Sequence, residues 1–293
     1  MDLLLAAVIS GLAAGALYGI LGFAIVLLYK TTGIANFAQG VLGTVGAFLI
    51  YGIVDRLSVP VGVAVMVGVT ATAAVGLVCY VIAMRPRDDA DHVNLTMRTL
   101  GLSLTLVAVL ELAVAPGLPY AFPRTFPAGQ AFMIGSASVS WLTVGTLVVA
   151  SLLAAFFLWL FRSTNLGLLF LGLADAPAMA RLLGARTRKL AMIAWMMSSV
   201  VSLIVAGLIA PVAFLSTDMM DLYLLLAFTA AIVGGLTSLG GAFLGGALVG
   251  VLQSVVTVYL DGELAVLSTF GLLLLVLLLR PDGLFGAPMH ERL

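Results

Sequence analysis

Charge is scarce in this chain: Asp, Glu, Lys and Arg make up 9% of it, against about 25% in soluble domains. That shortage excludes a soluble globular protein. A single cysteine, Cys79 in an apolar run, excludes a disulfide framework within the chain and reads as a small core residue. The two histidines, His92 and His290, have no partner at a metal-binding spacing, so no metal site is expected. The sequence carries no Walker motif, no Gly-x-Ser-x-Gly nucleophile turn and no paired intramembrane aspartates. An enzyme is therefore not expected, and neither is a resident cofactor. The longest weakly apolar stretches, 85–94, 116–138 and 162–189, are too short to bury a core of their own. The first apolar run lacks a basic leader and is too long for a cleavable signal peptide.

What is abundant is hydrocarbon. The chain is 63% hydrophobic with mean hydropathy +1.24. A helix needs about 20 apolar residues to cross a bilayer. By that measure spans are expected near 3–29, 34–54, 59–84, 95–115, 139–161, 190–212, 222–237, 241–259 and 264–279. The seventh and ninth are short, so the expectation is an all-α, polytopic bundle of eight to nine transmembrane helices. Residues 1–293 are read as one transmembrane domain.

Basic residues set the orientation. Lys30, Arg85, Arg87, Arg98, Arg162, Arg181, Arg186, Arg188, Lys189, Arg280 and Arg292 fall on one side; Arg56 and Arg124 fall on the other. Eleven against two places the first set in the cytoplasm, the N-terminus outside and the C-terminus inside, which requires an odd number of crossings. The extracytoplasmic stretch 116–138 then carries Tyr120, Phe122 and Phe126 among prolines, suited to docking a partner or to capping the bundle. Glu111 is the one acid inside an apolar span, with four residues between it and Pro116. It is a functional candidate or a side chain reaching the outer interface.

The 32 glycines exceed the usual share of about 7%, and their spacing is regular. Gly11, Gly15 and Gly19, then Gly68, Thr72 and Gly76, then the pairs Gly241/Gly245 and Gly246/Gly250, each make a flat face for close helix contact.

Two polar, glycine-flanked interruptions stand out, one in each half. Between Lys30 and Gly40, Asn36 and Gln39 are three residues apart. If the helix starts at 34, they share a face of its first turn, where free N–H groups and the helix dipole could hold a carboxylate or carbonyl. The duller possibility is that Asn36 caps the helix and Gln39 bonds a neighbouring one. Phe37 between them is a constriction or core. The second interruption sets Thr237 and Ser238 between Gly235 and Gly240, with hydroxyls able to satisfy freed backbone groups. Interrupted helices in corresponding halves point to a transport path, so Asn36, Phe37, Gln39, Gly40, Thr237, Ser238 and Gly240 are the candidate pathway residues. On the cytoplasmic side, Asp175 can cap a short helix with Pro177 in its first turn, Arg181 near its end and Gly184 as its exit residue. Such a helix either plugs a groove in a soluble partner or lies on the membrane surface.

Four motifs occur in order: Asn36-Phe37-Ala38-Gln39-Gly40, Ala180-Arg181-Leu182-Leu183-Gly184, Gly234 to Gly246, and Arg280 to Gly286. Together they span almost the whole chain, and the set resembles the H-type permease of branched-chain amino-acid ABC importers. The resemblance implies a pore subunit of a bacterial-type inner (plasma) membrane that pairs with a homologous second permease. It also implies two cytoplasmic ATPases, which would bind the ATP and magnesium, and an extracytoplasmic solute-binding protein. It makes 175–184, within the cytoplasmic stretch 162–189, the helix that couples to an ATPase, with Asp175, Pro177, Ala180, Arg181, Leu183 and Gly184 carrying the contact. The chain departs from the family where Gln39 replaces the usual His, where Ala174-Asp175 replaces a Gln-Asp pair, and where Leu168–Leu171 replaces an arginine-bearing stretch. These departures leave the class standing and the solute open among branched-chain amino acids, other amino acids, urea and short amides. The alternative is an autonomous secondary transporter or channel for a small polar solute.

Overall fold

The computed structural model describes residues 2–84, 92–113, 119–134, 137–175, 177–182 and 185–286. Its helices are α1 (Asp2–Thr32), α2 (Gln39–Leu57), α3 (Val61–Ala83), α4 (His92–Ala113), α5 (Trp141–Ser163), α6 (Asn165–Asp175), α7 (Pro177–Leu182), α8 (Thr187–Ala213), α9 (Asp221–Gly234), α10 (Leu239–Tyr259) and α11 (Gly262–Leu279). Every expected span finds its helix. Among the described residues eight are long and apolar enough to cross a membrane. The ninth, α9, has 14 residues and reaches about 21 Å at 1.5 Å per residue, short of the roughly 30 Å hydrocarbon core. Glu111 is exposed in the last turn of α4, which favours its place at the end of the span.

The helical bundle carries one addition that went unforeseen. Strands β1 (Gln130–Ile134) and β2 (Ala137–Ser140) pair antiparallel before α5. Ser138-Val139-Ser140 alternates with period 2, the one strand signal in this stretch; Gln130–Ile134 carries an apolar run without alternation. In the same stretch Phe122 is buried, and a Cβ on Gly145 of α5 would strike the Phe126 ring. Both aromatics are therefore packed, which favours a cap over a free docking surface.

The chain divides into two interleaved units, 1–26 with 126–156 and 224–293, and 27–125 with 157–223. In the first, α10 is the organiser. Adjacent residues on a helix lie about 100° apart, so its two glycine pairs form separate faces. Gly246 and Gly250 meet Gly11, Gly15 and Gly19 of α1, while Gly241 and Gly245 meet Gly234 and Ala230 of α9. A Cβ on Gly15 would lie 2.5 Å from the Gly246 carbonyl oxygen, and one on Gly11 would lie 2.7 Å from Val251 Cα. Side chains flanking the α1–α10 contact lock its register. Ser10 and Ser254 hydroxyls are 2.9 Å apart, Tyr18 Oη donates to Gln253 Oε1 at 2.8 Å, and the Phe23 and Phe243 rings sit 5.2 Å apart.

In the second unit α3 presents its small-residue face to two helices. Gly68 and Thr72 abut Ile50 and Gly46 of α2, and Gly76 abuts Ser199 and the Trp195 carbonyl of α8. A Cβ on Gly43 of α2 would lie 2.5 Å from the Ser202 carbonyl, so α2 and α8 also touch backbone to backbone. The Tyr80 and Trp195 rings, 6.2 Å apart, fill the α3–α8 layer, and Cys79 is buried there as a core residue.

Because glycine seams exclude any side chain, Gly15→Val and Gly246→Val should each cost about 1–3 kcal/mol through forced separation of α1 and α10. Gly240→Ala, with no atom within 4 Å of its Cβ position, should be neutral or slightly stabilising. Thermal unfolding in detergent measures all three; equal melting temperatures would show that the seam does not hold the unit together.

Candidate translocation residues

The first break is an unwound segment, not the start of a helix. α1 runs on to Thr32 and α2 begins only at Gln39, so residues 34–38 are not the helical turn expected. Asn36 accordingly is not an N-cap; the cap position is Ala38, which makes no side-chain cap bond. Part of the segment's backbone is bonded nonetheless. Gly33, at φ 73°, donates to the Tyr29 carbonyl at 2.7 Å and ends α1. Asn36 Oδ1 accepts from Ala38 N–H at 3.0 Å, and the Asn36 carbonyl accepts from Gln39 N–H at 3.3 Å. Thr99 of α4 reaches the same segment: its hydroxyl accepts from Phe37 N–H at 3.1 Å and lies 3.3 Å from the Ala35 carbonyl, while it donates to the Thr96 carbonyl at 2.7 Å.

Gln39 sits at the centre of the unit and is 0% exposed. Its Nε2 donates to the Ser198 carbonyl at 3.0 Å and to Ser202 Oγ at 2.5 Å. Its Oε1 accepts from Ser198 Oγ at 2.6 Å and from Asn36 Nδ2 at 3.3 Å. A primary amide has two donor hydrogens and two acceptor lone pairs, and all four are used. Gln39 thus ties α2 to α8, and Asn36, also buried, ties the break to Gln39. Gly40 is buried beside them, whereas Phe37 is exposed. Ser198, Ser202 and Thr99 escaped notice in the sequence. The serine pair at i, i+4 inside an apolar helix was a usable signal; Thr99 offered none.

The second break belongs to the other unit. α9 ends at Gly234, α10 begins at Leu239, and Ser238 is its N-cap, accepting from Gly241 N–H at 3.0 Å. Ser238 therefore serves the backbone, as the duller possibility had it. Thr237 is half-buried and Gly240 exposed. The unexpected partner is the segment after α11. Leu284 N–H donates to the Val233 carbonyl at 2.9 Å and Phe285 N–H to the Gly234 carbonyl at 3.2 Å. Gly235 and Gly283 both take positive φ, 102° and 81°, and a Cβ on Gly283 would lie 2.5 Å from Gly235 Cα. Two motifs far apart in sequence are one piece of structure.

Of the coupling residues, Asp175 closes α6 instead of capping the next helix, because α6 continues through it. Pro177 opens α7 as expected, and α7 covers Ala180 and Arg181 before ending at Leu182. Leu183 and Gly184 lie outside the described residues. Met179 and Leu182 are exposed on α7, at 56% and 82%.

Two helix breaks, each bonded by a segment distant in sequence, in a chain with eight membrane-length helices among the described residues, fit a polytopic membrane protein of the permease kind. Residues 7–279 match the family model for the branched-chain amino acid transport system permease component, and the chain belongs to that family. It is similar to the high-affinity branched-chain amino acid transport system permease protein BraD of Pseudomonas aeruginosa, at 27% identity over 97% of this chain and 96% of that one. It is also similar to the probable branched-chain amino acid transport permease protein LivH of Methanocaldococcus jannaschii, at 29% identity over 91% and 88%. The high-affinity permease LivH of Escherichia coli K12 matches at 25% identity over 97% and 96%. The family is one of transport components, not of enzymes.

Replacing Gln39 by Leu removes the hydrogen-bond partner of the buried Ser202 hydroxyl and of the Asn36 amide nitrogen, at about 1–3 kcal/mol for each buried group left unpaired. The expected result is a lower melting temperature than that of Ser202→Ala, which removes one bond only; a Gln39→Leu protein as stable as the parent would show that the network is slack. Gly283→Ala should cost about 1–3 kcal/mol through strained φ alone, visible as accelerated proteolysis after Arg280.

Proposed function

We propose that this chain is the pore-forming permease of an ATP-binding-cassette importer for branched-chain or closely related small amino acids, in a bacterial-type inner membrane. The single observation that carries it is the first break. An unwound segment between two membrane-length helices, with Asn36 and Gln39 buried and bonded to one another and to α8 and with the Phe37 N–H bonded to Thr99 of α4, is a polar site built into an apolar bundle, as a transport path needs. The names of the relatives point to the solute class. In this view each break is a place where a helix can change direction. Asn36, Phe37, Gln39 and Gly40 in one unit, and Thr237, Ser238 and Gly240 in the other, are the residues a solute's passage would disturb. Phe37 is the exposed side chain at the first of them; Gln39 would exchange its bonds to Ser198 and Ser202 as α2 moves.

The energy has to come from elsewhere, since the sequence contains no nucleotide-binding motif. α7 is the candidate contact: a six-residue helix opened by Pro177, with Asp175 before it and Ala180, Arg181, Leu183 and Gly184 in and after it, that turns Met179 and Leu182 outward. Exposed apolar side chains on a short helix suit a groove on an ATPase subunit. A second, homologous permease and an extracytoplasmic solute-binding protein complete the proposed assembly, with ATP and magnesium held by the ATPases. Leu182→Glu should reduce ATPase co-purification at least about tenfold, as for a central interface residue, while the melting temperature stays put. Undiminished co-purification would remove α7 from the interface.

The charge pattern places the N-terminus outside and the C-terminus in the cytoplasm, which needs an odd number of crossings; α9, with 14 residues, supplies the ninth only together with the break that follows it. Ala128 and Asn165 are both exposed, whereas the native Cys79 is buried. Ala128→Cys should react with an impermeant maleimide in intact cells and Asn165→Cys only after permeabilisation. The opposite pattern would invert the topology and place α7 where no ATPase could reach it.

A further inference from the structure

The second unit contains a cavity of about 650 Å³ at the C-terminal ends of α2 and α4, outside both breaks. Its walls combine three kinds of surface. Tyr51 and Tyr120 have ring centroids 5.1 Å apart, and Phe48 meets Tyr120 edge-on at 6.3 Å. Tyr120 is held in place by its backbone, which exchanges two hydrogen bonds with buried Leu215, at 2.9 and 2.8 Å. Aliphatic side chains, Leu49, Ile53 and Leu110 among them, form the remainder. Asp55 and Arg56, consecutive in the last turn of α2, both line the same space, and neither makes a hydrogen bond or ion pair with another described residue.

We propose that this cavity is an entry site for a free aliphatic α-amino acid, with Asp55 and the two tyrosines receiving its ammonium group, Arg56 its carboxylate, and the aliphatic wall its side chain. The chemistry favours a zwitterion over other small solutes. A carboxylate and a guanidinium side by side offer one complement to each pole, whereas a neutral amide or urea would leave both charges uncompensated. Tyrosine faces attract an ammonium through the ring quadrupole, and the negative end of the α2 dipole adds to that attraction. A guanidinium binds carboxylate through two parallel N–H groups. The volume lies within the range of about 300–1,000 Å³ typical of small-molecule sites, which are mostly apolar with a few placed polar groups.

The proposal rests on the permease reading and on the orientation that puts Arg56 outside. It is tested on the complex purified by a tag on this chain and reconstituted in vesicles with its binding protein. Photo-leucine, a diazirine amino acid, is added from the outer side and irradiated during uptake, and the adducts are mapped by tandem mass spectrometry. Adducts on the peptides carrying Tyr51, Asp55 or Tyr120, suppressed by excess leucine and not by urea, support the site. Asp55→Asn and Arg56→Gln should each lower leucine uptake on the order of tenfold, the loss of one charge-assisted bond, with ATPase co-purification unchanged. Arg124→Gln, outside the cavity, should leave uptake intact. If uptake by the parent complex is robust but its adducts map elsewhere, the entry site is wrong and the permease function stands. A loss of binding-protein capture in Asp55→Asn without local adducts makes these charges a docking patch and equally overturns the proposal. A parent complex that moves no amino acid at all sinks the permease reading itself.

Discussion

A hydrocarbon environment cannot hydrogen-bond an idle peptide group, and the rest of this structure answers to that constraint. A continuous helix satisfies it automatically. A broken helix does not, and this chain breaks two. At the first break Thr99 reaches from α4 to bond the backbone at Phe37, Asn36 folds its carboxamide back on Ala38, and Gln39 draws in two serines from α8. At the second, Ser238 caps α10 and the backbone after α11 bonds the end of α9. The polar residues that look like a solute path therefore have a structural task first.

In the proposed path, such a task suits a moving part. A path lined by amides whose bonds are all internal is closed to solute until those bonds exchange. Hydrogen bonds to serine hydroxyls and to a helix carbonyl can be traded for equivalents at little net cost, because each trade exchanges one modest bond for another. A purely apolar contact between α2 and α8 would hold them without offering a polar solute any replacement. The direct backbone contact at Gly43 lets the two helices approach closely enough for Gln39 to span them.

Glycine carries the complementary burden. α10 is squeezed between α1 and α9 on two different faces, with Gly246 and Gly250 on one and Gly241 and Gly245 on the other. In lipid, where apolar burial gives little drive for helices to associate, close van der Waals contact does the work instead. The spacing of four residues seen in the sequence is the same device at work in the fold. On the Gly246 and Gly250 face, however, the partner is α1, from the other end of the chain.

The amino-acid sequence carries the class of molecule in plain view: scarce charge, nine apolar runs, basic residues sorted by side, and glycines at helical spacing. All of these are local or periodic properties, set by water, lipid and helix geometry without reference to a partner. It also marked both breaks, because an Asn-Phe-Ala-Gln-Gly between apolar runs violates the rule that governs everything around it. What it could not give was the pairing. Whether Gln39 faces a solute or Ser198 and Ser202, whether Asn36 caps a helix or lies before it, and what covers Gly235 all depend on which distant segment arrives. The arrival of Thr99 at Phe37, and of Leu284 at Val233, was decided by tertiary packing alone: hydrogen-bond partners there are selected by proximity in space, and a sequence records only which groups need one.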